Sequence, residues 1–313
     1  MEKVKKISVT GEGDILSPFN YIKRIFEFRN VLPFLANLSG ALVALIILGF
    51  LLTLGAKSLE FAKNAGVANI LRTTWNPIAE EFGGLPFIAT TVLVSIIALG
   101  ISVPFTLSVS IFIAEWKRKN MFFDVFNTAL DLLSAIPSVV YGFWALFVLT
   151  PFIRILQLKL GYPPYGVGVL TAALVLAIMI IPFSVGISRE VLKLVSSDIK
   201  EAGFSLGATE FEVTRVVTLP LAKQGIIAGF ILALGRALGE TMAVTMVIGN
   251  FNAFPKNLFS PSNTIASLIA NQFNEAWGNH QSALILLGFL LFLITLIINL
   301  LGGVILRGAK HEL

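Results

Sequence analysis

Arg236 and Glu240 stand four residues apart in an otherwise apolar run, LGRALGETMAVTMVIGN over 234–250. On a helix that spacing puts both on one face, where a guanidinium and a carboxylate can pair. An ionisable side chain held at mid-membrane costs at least about 2.5–3.5 kcal/mol, so such residues mark ion or substrate paths by default. Arg before Glu is the weaker helical order, which makes helix stabilisation a poor reason for the pair. The chemistry on offer is the passage of an anion. Arg presents a planar donor fork that matches an oxyanion. Glu240 can balance the Arg236 charge between passages, so that the site admits the ion and also lets it go. A structural salt bridge between packed helices is the alternative. Thr241, Thr245 and Asn250 either add donors along the path or bond back within the helix. Arg236, Glu240 and Thr241 are the candidate substrate-path residues; no metal or catalytic set is expected.

The helix that would carry this pair has a second property. At 100° per residue Gly225, Gly229, Leu232, Arg236, Glu240 and Ala243 fall in a stripe roughly 80° wide. Gly225 and Gly229 form Gly-x-x-x-Gly, which permits close approach of another helix. The expectation is that this face meets a partner subunit and that the path follows the contact. Asp131 is the other ionisable group near a span, about a turn inside the third. It is a candidate to cap or pair near the interface, or to partner Arg236 or a cation of a partner subunit.

The surroundings are those of a polytopic membrane protein. Of 313 residues 56% are hydrophobic and only 13% charged, against roughly 25% charged in soluble domains. Cysteine is absent, which removes disulfides, thiol nucleophiles and Cys metal sites. His280 and His311 are isolated and are expected at the surface. The net charge of +5 is spread over loops rather than clustered as for nucleic acid. Six segments are long and apolar enough to span a hydrocarbon core: about 34–54, 87–113, 128–149, 167–187, 225–248 and 283–306. Pro104, Pro137 and Pro182 lie inside spans two to four, where they should kink the helices.

Lys and Arg set the orientation. With the N-terminus inside, sixteen of the 23 basic residues lie on the cytoplasmic side, six outside and Arg236 in the membrane. Inside lie Lys3, Lys5, Lys6, Lys23, Arg24 and Arg29 of an N-terminal arm that has no signal-peptide pattern, then Lys117–Lys119, the stretch holding Arg189, Lys193, Lys200, Arg215 and Lys223, and finally Arg307 and Lys310. The division is a cytoplasmic arm over 1–30 and a transmembrane domain over 31–313, in a multi-pass protein of the cytoplasmic membrane with both termini inside. The outer loops, 55–86 and 249–282, are long; 263–273 has helical spacing and is placed either at the interface or on a surface met by an external partner.

Between spans four and five, 189–223 form a polar elbow. Ser197 can cap a first helix through Lys200, Glu201 and Ala202, and Gly207 can end it in the left-handed conformation. Thr209 and Glu212 match a capping box for a second helix, which carries Phe211, Val213, Val216 and Val217 and which Pro220 is expected to end. Helix, tight turn, helix is the arrangement of an element that takes force from a cytoplasmic partner; a solvated linker is the bland alternative.

Glu201-Ala202-Gly203, Gly207 and Leu219-Pro220 resemble the EAA loop of ABC importer permeases, with Gly203 where that family usually has Ala. Residues 235–250 and 131–151, DLLSAIPSVVYGFWALFVLTP, are similar to PstC-type permeases of phosphate importers, and the likeness runs from about Phe87 to the C-terminus. The resemblance implies an all-α membrane protein with the type I ABC importer permease fold, six transmembrane helices and cytoplasmic coupling helices between spans four and five. It implies that Glu201, Ala202, Gly203, Gly207, Leu219 and Pro220 couple to an ATPase, and that the Arg and Glu serve transport. It also implies the partners: a second permease of PstA type in a heterodimer, two ATPases of PstB type that carry ATP-Mg, and an external phosphate-binding protein of PstS type. No Gly-x-x-x-x-Gly-Lys-Ser/Thr loop occurs, and Gly11-x-Gly13 is too short to be one. The chain itself therefore carries no cofactor and no ATPase activity in this reading. Phosphate rests on the resemblance; the residues alone support a small-anion or ion path. A permease for sulfate or molybdate, a secondary transporter using Arg236 and Glu240 as a proton relay, and a non-transporting membrane scaffold are the alternatives.

Overall fold

The computed structural model describes residues 18–115 and 121–309. Lys3, Lys5, Lys6, Gly11-x-Gly13, Lys117–Lys119, Lys310 and His311 lie outside the described residues. The chain divides into two units, Met1–Thr53 and Leu54–Leu313. Helix α1, Pro18–Ala65, begins in the first and ends in the second. In the first unit its side chains from Val31 onward are almost all exposed and mostly apolar, a surface suited to lipid rather than water.

The described residues of the second unit are mostly helical, with one small hairpin and an isolated bridge between Gly249 and Ser262. Strands β1 (Trp75–Asn76) and β2 (Glu81–Phe82) pair antiparallel, with Trp75 opposite Phe82. The helices that follow are α2 (Leu85–Glu115), α3 (Met121–Ala135), α4 (Ser138–Trp144), α5 (Thr150–Lys159), α6 (Val169–Lys193), α7 (Ser197–Ser205), α8 (Glu210–Val213), α9 (Leu219–Leu238), α10 (Met242–Val247), α11 (Ile265–Gln272) and α12 (Asn279–Ala309). Six described helices are long and apolar enough to cross a membrane: Val31–Leu59, Leu85–Glu115, Ser138–Lys159, Val169–Lys193, Glu210–Leu238 and Asn279–Val304.

Two spans depart from the expected limits, each for a proline-related reason. The third begins at Ser138, because the chain breaks at Ile136-Pro137 and leaves α3 as a separate helix. The fifth begins at Glu210, because Pro220 does not end the helix. A wider π-type turn over Thr214–Thr218 precedes it, and such a turn relieves the clash between a proline ring and the carbonyl four residues back. The same device, Ala145–Leu149 before Pro151, joins α4 to α5.

The interior rests on α2 packed along α6. Both helices bury small hydroxyl residues, Ser102, Thr106 and Ser110 on α2 and Ser184 and Ser188 on α6, as expected where helices must approach without a hydrophobic drive. Thr91 and Ser110 donate to carbonyls four residues back, Phe87 and Thr106, at 2.7 and 2.6 Å. A second core joins Trp75, Phe82 and Phe87 to Ile265 and Leu268 of α11 and Leu284 and Leu287 of α12. Thus the 263–273 stretch packs into the core through α11. His280 is not surface decoration: its ring stacks on Phe82, and its Nε2 lies 3.1 Å from the Gln272 amide oxygen that Trp75 also reaches.

Candidate translocation site and coupling elbow

Arg236 lies in the last turn of α9, and the helix stops at Leu238. Gly239 forms its C-cap, and the chain restarts as α10 only at Met242. Glycines at 235 and 239 weaken the helix here. Arg236 and Glu240 therefore do not share a helix face, and among the described residues no ion pair joins them. The expected pairing is corrected by the break. The Arg236 guanidinium instead lies over the Phe183 ring of α6, 5.4 Å from its centre, a cation–π contact. One carboxylate oxygen of Glu240 accepts from the Ala243 amide at 3.3 Å. A cation thus sits at a helix C-terminus and an anion at a helix N-terminus, the placement that backbone dipoles favour. Arg236 remains exposed and Glu240 half-buried, so neither charge is enclosed in the protein.

The glycine stripe is also placed differently from expectation. A Cβ at Gly225 would lie 2.5 Å from Val191 Cγ1, and one at Gly229 would lie 2.8 Å from Ile187 Cγ2. The glycine half of the face that sequence pattern assigned to a partner subunit packs on α6 of the same chain, while Leu232 and Arg236 beyond it are exposed. Val191, Ile187 and Phe183 recur every four residues along α6, and Arg236 emerges where that row ends.

The short helix α10 that follows the break crosses α4. A Cβ at Gly142 would lie 2.9 Å from both the Cα of Ala243 and the Sδ of Met246, so glycine is required for α4 and α10 to cross this closely. Interrupted helices are an arrangement from which transporters build substrate sites. Along α10 the candidate donors are engaged locally. The Thr241 hydroxyl donates to Gly239 O at 3.3 Å, that of Thr245 to Thr241 O at 2.7 Å, and the Asn250 amide to Thr245 O at 3.0 Å. Asp131 lies on α3, not inside the third span. Its carboxylate is 3.6 Å from Arg189 of α6, which also donates to Asn127, so Asp131 is drawn to α6 and not to Arg236.

The elbow is built as α7, a turn and α8. Ser196 rather than Ser197 caps α7, accepting from the Asp198 amide at 3.3 Å. Gly207 closes α7 at φ +86°, a conformation that needs glycine. Thr209 and Glu212 make the full capping box, with Thr209 N donating to the Glu212 carboxylate at 2.8 Å. Gly203 touches α8: a Cβ there would lie 3.1 Å from Val213 Cγ2. Glycine thus lets α7 and α8 approach closely at the position where the resembling loops carry alanine. Glu201, Ala202, Phe204 and Phe211 are exposed, and Leu206 at the tip is 89% exposed. Leu219 packs inward beside Leu192, Ala222 and Ile226, and Pro220 lies exposed within the continuous helix. Lys200 reaches back to Glu115, the last residue of α2, at 2.8 and 3.0 Å. The sequence gives no local sign of that pair, whose members stand 85 residues apart. The chain break at 239–241 did leave a sign, the glycines on either side of Arg236.

Residues 106–311 match the model of one protein family, described as the binding-protein-dependent transport system inner membrane component. The chain belongs to that family. It is a multi-pass inner membrane protein and the permease part of an ABC importer. Curated relatives agree along most of the length. The phosphate transport system permease protein PstC of Mesorhizobium japonicum is 40% identical, over 88% of this chain and 89% of that protein. The protein of the same name from Haemophilus influenzae is 41% identical, over 83% and 87%. The probable phosphate transport system permease protein PstC of Methanocaldococcus jannaschii is 32% identical, over 90% and 93%. Among solved structures, an inward-facing MetNI methionine ABC transporter aligns at TM-score 0.58 and 15% identity, over 75% of this chain and 99% of that one. The likeness shows the type I ABC importer permease fold.

Proposed function

We propose that this chain is a transmembrane permease subunit of an ATP-driven importer of inorganic phosphate. The observation that carries the reading is the identity of about two residues in five with phosphate permeases along nearly the whole chain. An exposed guanidinium at the point where α9 ends supports it independently. The distribution of Lys and Arg argues for both termini and the elbow on the cytoplasmic side. The elbow then meets a pair of ATPase subunits that hold ATP-Mg, and the partners on other faces are a second permease of PstA type and an external binding protein of PstS type. Glu201, Ala202, Gly203 and Gly207 form or shape the docking element, while Leu219 and Pro220 carry its motion into the fifth span.

In this mechanism ATP-driven closure of the ATPases moves the elbow and switches the permease pair between inward- and outward-open states. Phosphate passes Arg236, whose fork offers two donors to one anion. Glu240 stands one helix break away and keeps the local charge balanced when the anion has left.

Uptake of labelled phosphate into vesicles holding the chain and its partner subunits tests the reading. Arg236→Gln should lower uptake roughly 10- to 100-fold, the loss of a hydrogen bond to a charged group, while ATPase subunits still bind. Normal uptake by Arg236→Gln would move the anion path elsewhere. Uptake of sulfate or molybdate in place of phosphate would change the substrate. Uptake without any ATPase would replace the importer by a secondary transporter.

A further inference from the structure

The Lys200–Glu115 pair is unlike the other ion pairs among the described residues. Both side chains are largely withdrawn from solvent, at 19% and 9% exposure, whereas Glu190 and Asp131 in the other pairs are more than half exposed. Lys200 directly precedes Glu201 on α7, and Glu115 ends α2. The elbow is joined through the chain to α6 before it and α9 after it, but not to α2. Between α2 and the helix leaving the elbow lies a crevice of about 390 Å³, lined by Ser108 and Ile111 on one side and Phe211, Thr214, Arg215 and Leu219 on the other. Packing there is loose, and the ammonium held by both carboxylate oxygens bridges α7 to α2 beside it.

We propose that Lys200 and Glu115 are positioning residues for transport: a strut that makes α2 follow α7 when the elbow is displaced. The α2 helix is the main packing partner of α6, whose Phe183 holds Arg236, so the strut connects the elbow to the wall of the candidate anion site by a route separate from α9. A pair largely withdrawn from solvent suits this role. Removing one partner leaves an uncompensated charge and favours separation, while exchanging the two residues keeps the attraction. The open crevice gives the surrounding side chains room to shift without breaking the bridge. This inference rests on the elbow being the element that the ATPases move.

The chain has no cysteine, so two spin labels can be placed without background, at Ser108 of α2 and Ser205 of α7. The intact chain should give one narrow distance distribution. Glu115→Gln and Lys200→Gln should each broaden it, and the exchange Glu115→Lys with Lys200→Glu should narrow it again. In vesicles with the partner subunits, each single variant should bind the ATPases and hydrolyse ATP yet lower phosphate taken up per ATP by about fivefold or more, the range of coupling between distant sites. The exchange should restore most of that ratio. Single variants that keep both the narrow distance and the wild-type ratio overturn the strut. So does an exchange that recovers neither. If the wild-type chain binds no ATPase, the importer reading fails, and the distance measurement still decides whether the pair ties α7 to α2.

Discussion

The Glu240 carboxylate is held by the Ala243 amide, 3.3 Å away, and not by Arg236. It therefore has two separable properties, a capping acceptor for α10 and a negative charge near the candidate anion site. Glu240→Gln keeps an acceptor oxygen and removes the charge. It should leave thermal stability unchanged, and it should lower both KM and kcat for uptake, because the anion binds an unbalanced Arg236 more tightly and leaves more slowly. Glu240→Ala removes the cap as well and should cost a further 0.5–2 kcal/mol or so of stability. Uptake kinetics and unfolding of the purified chain check this together. Equal destabilisation by both variants would mean that the charge, not the cap, holds α10.

The α4–α10 crossing gives a sharper structural test. Gly142→Val should destabilise the chain by about 1–3 kcal/mol through overpacking, because even its Cβ meets Ala243 Cα and Met246 Sδ at 2.9 Å. Gly186→Ala in α6 is the matched control, since nothing lies within 4 Å of the added methyl. It should gain a few tenths of a kcal/mol or more from helix propensity. Unfolding in detergent measures both. If Gly142→Val matches the control, the two interrupted helices do not cross at this distance.

Legibility in the sequence followed the range of the interaction. Hydropathy over twenty-residue windows located six spans, because a bilayer reads composition averaged over a length. Gly207 and the Thr209–Glu212 box were legible because caps are settled within four residues. Pro220 misled because its steric effect is local while its remedy, the π-type turn over Thr214–Thr218, depends on how the preceding turn winds. Arg236 and Glu240 misled for a related reason: a spacing of four implies a shared face only if the helix continues, and it ends at Leu238. The Gly-x-x-x-Gly stripe correctly marked close helix packing but could not say whose helix, and α6 supplied it. Lys200 with Glu115, and Arg236 over Phe183, are tertiary contacts between distant parts of the chain, which no periodicity encodes.

The departure at Gly203 can be weighed in energy. Exchanging glycine for alanine inside an exposed helix gains about 0.8–1.0 kcal/mol. Here the new methyl would sit 3.1 Å from Val213 Cγ2, and a β-branched side chain on a helix has little rotamer freedom with which to yield. Overpacking of this kind costs about 1–3 kcal/mol, so Gly203→Ala alone should be neutral to mildly destabilising. With Val213→Ala in place the obstruction is gone, and the same change should become stabilising by nearly the full propensity gain. The double-mutant cycle thus has a predicted sign reversal, read from unfolding of the four purified chains. Additive effects would mean that α7 and α8 do not touch at this point, and that the glycine is there for a reason other than Val213.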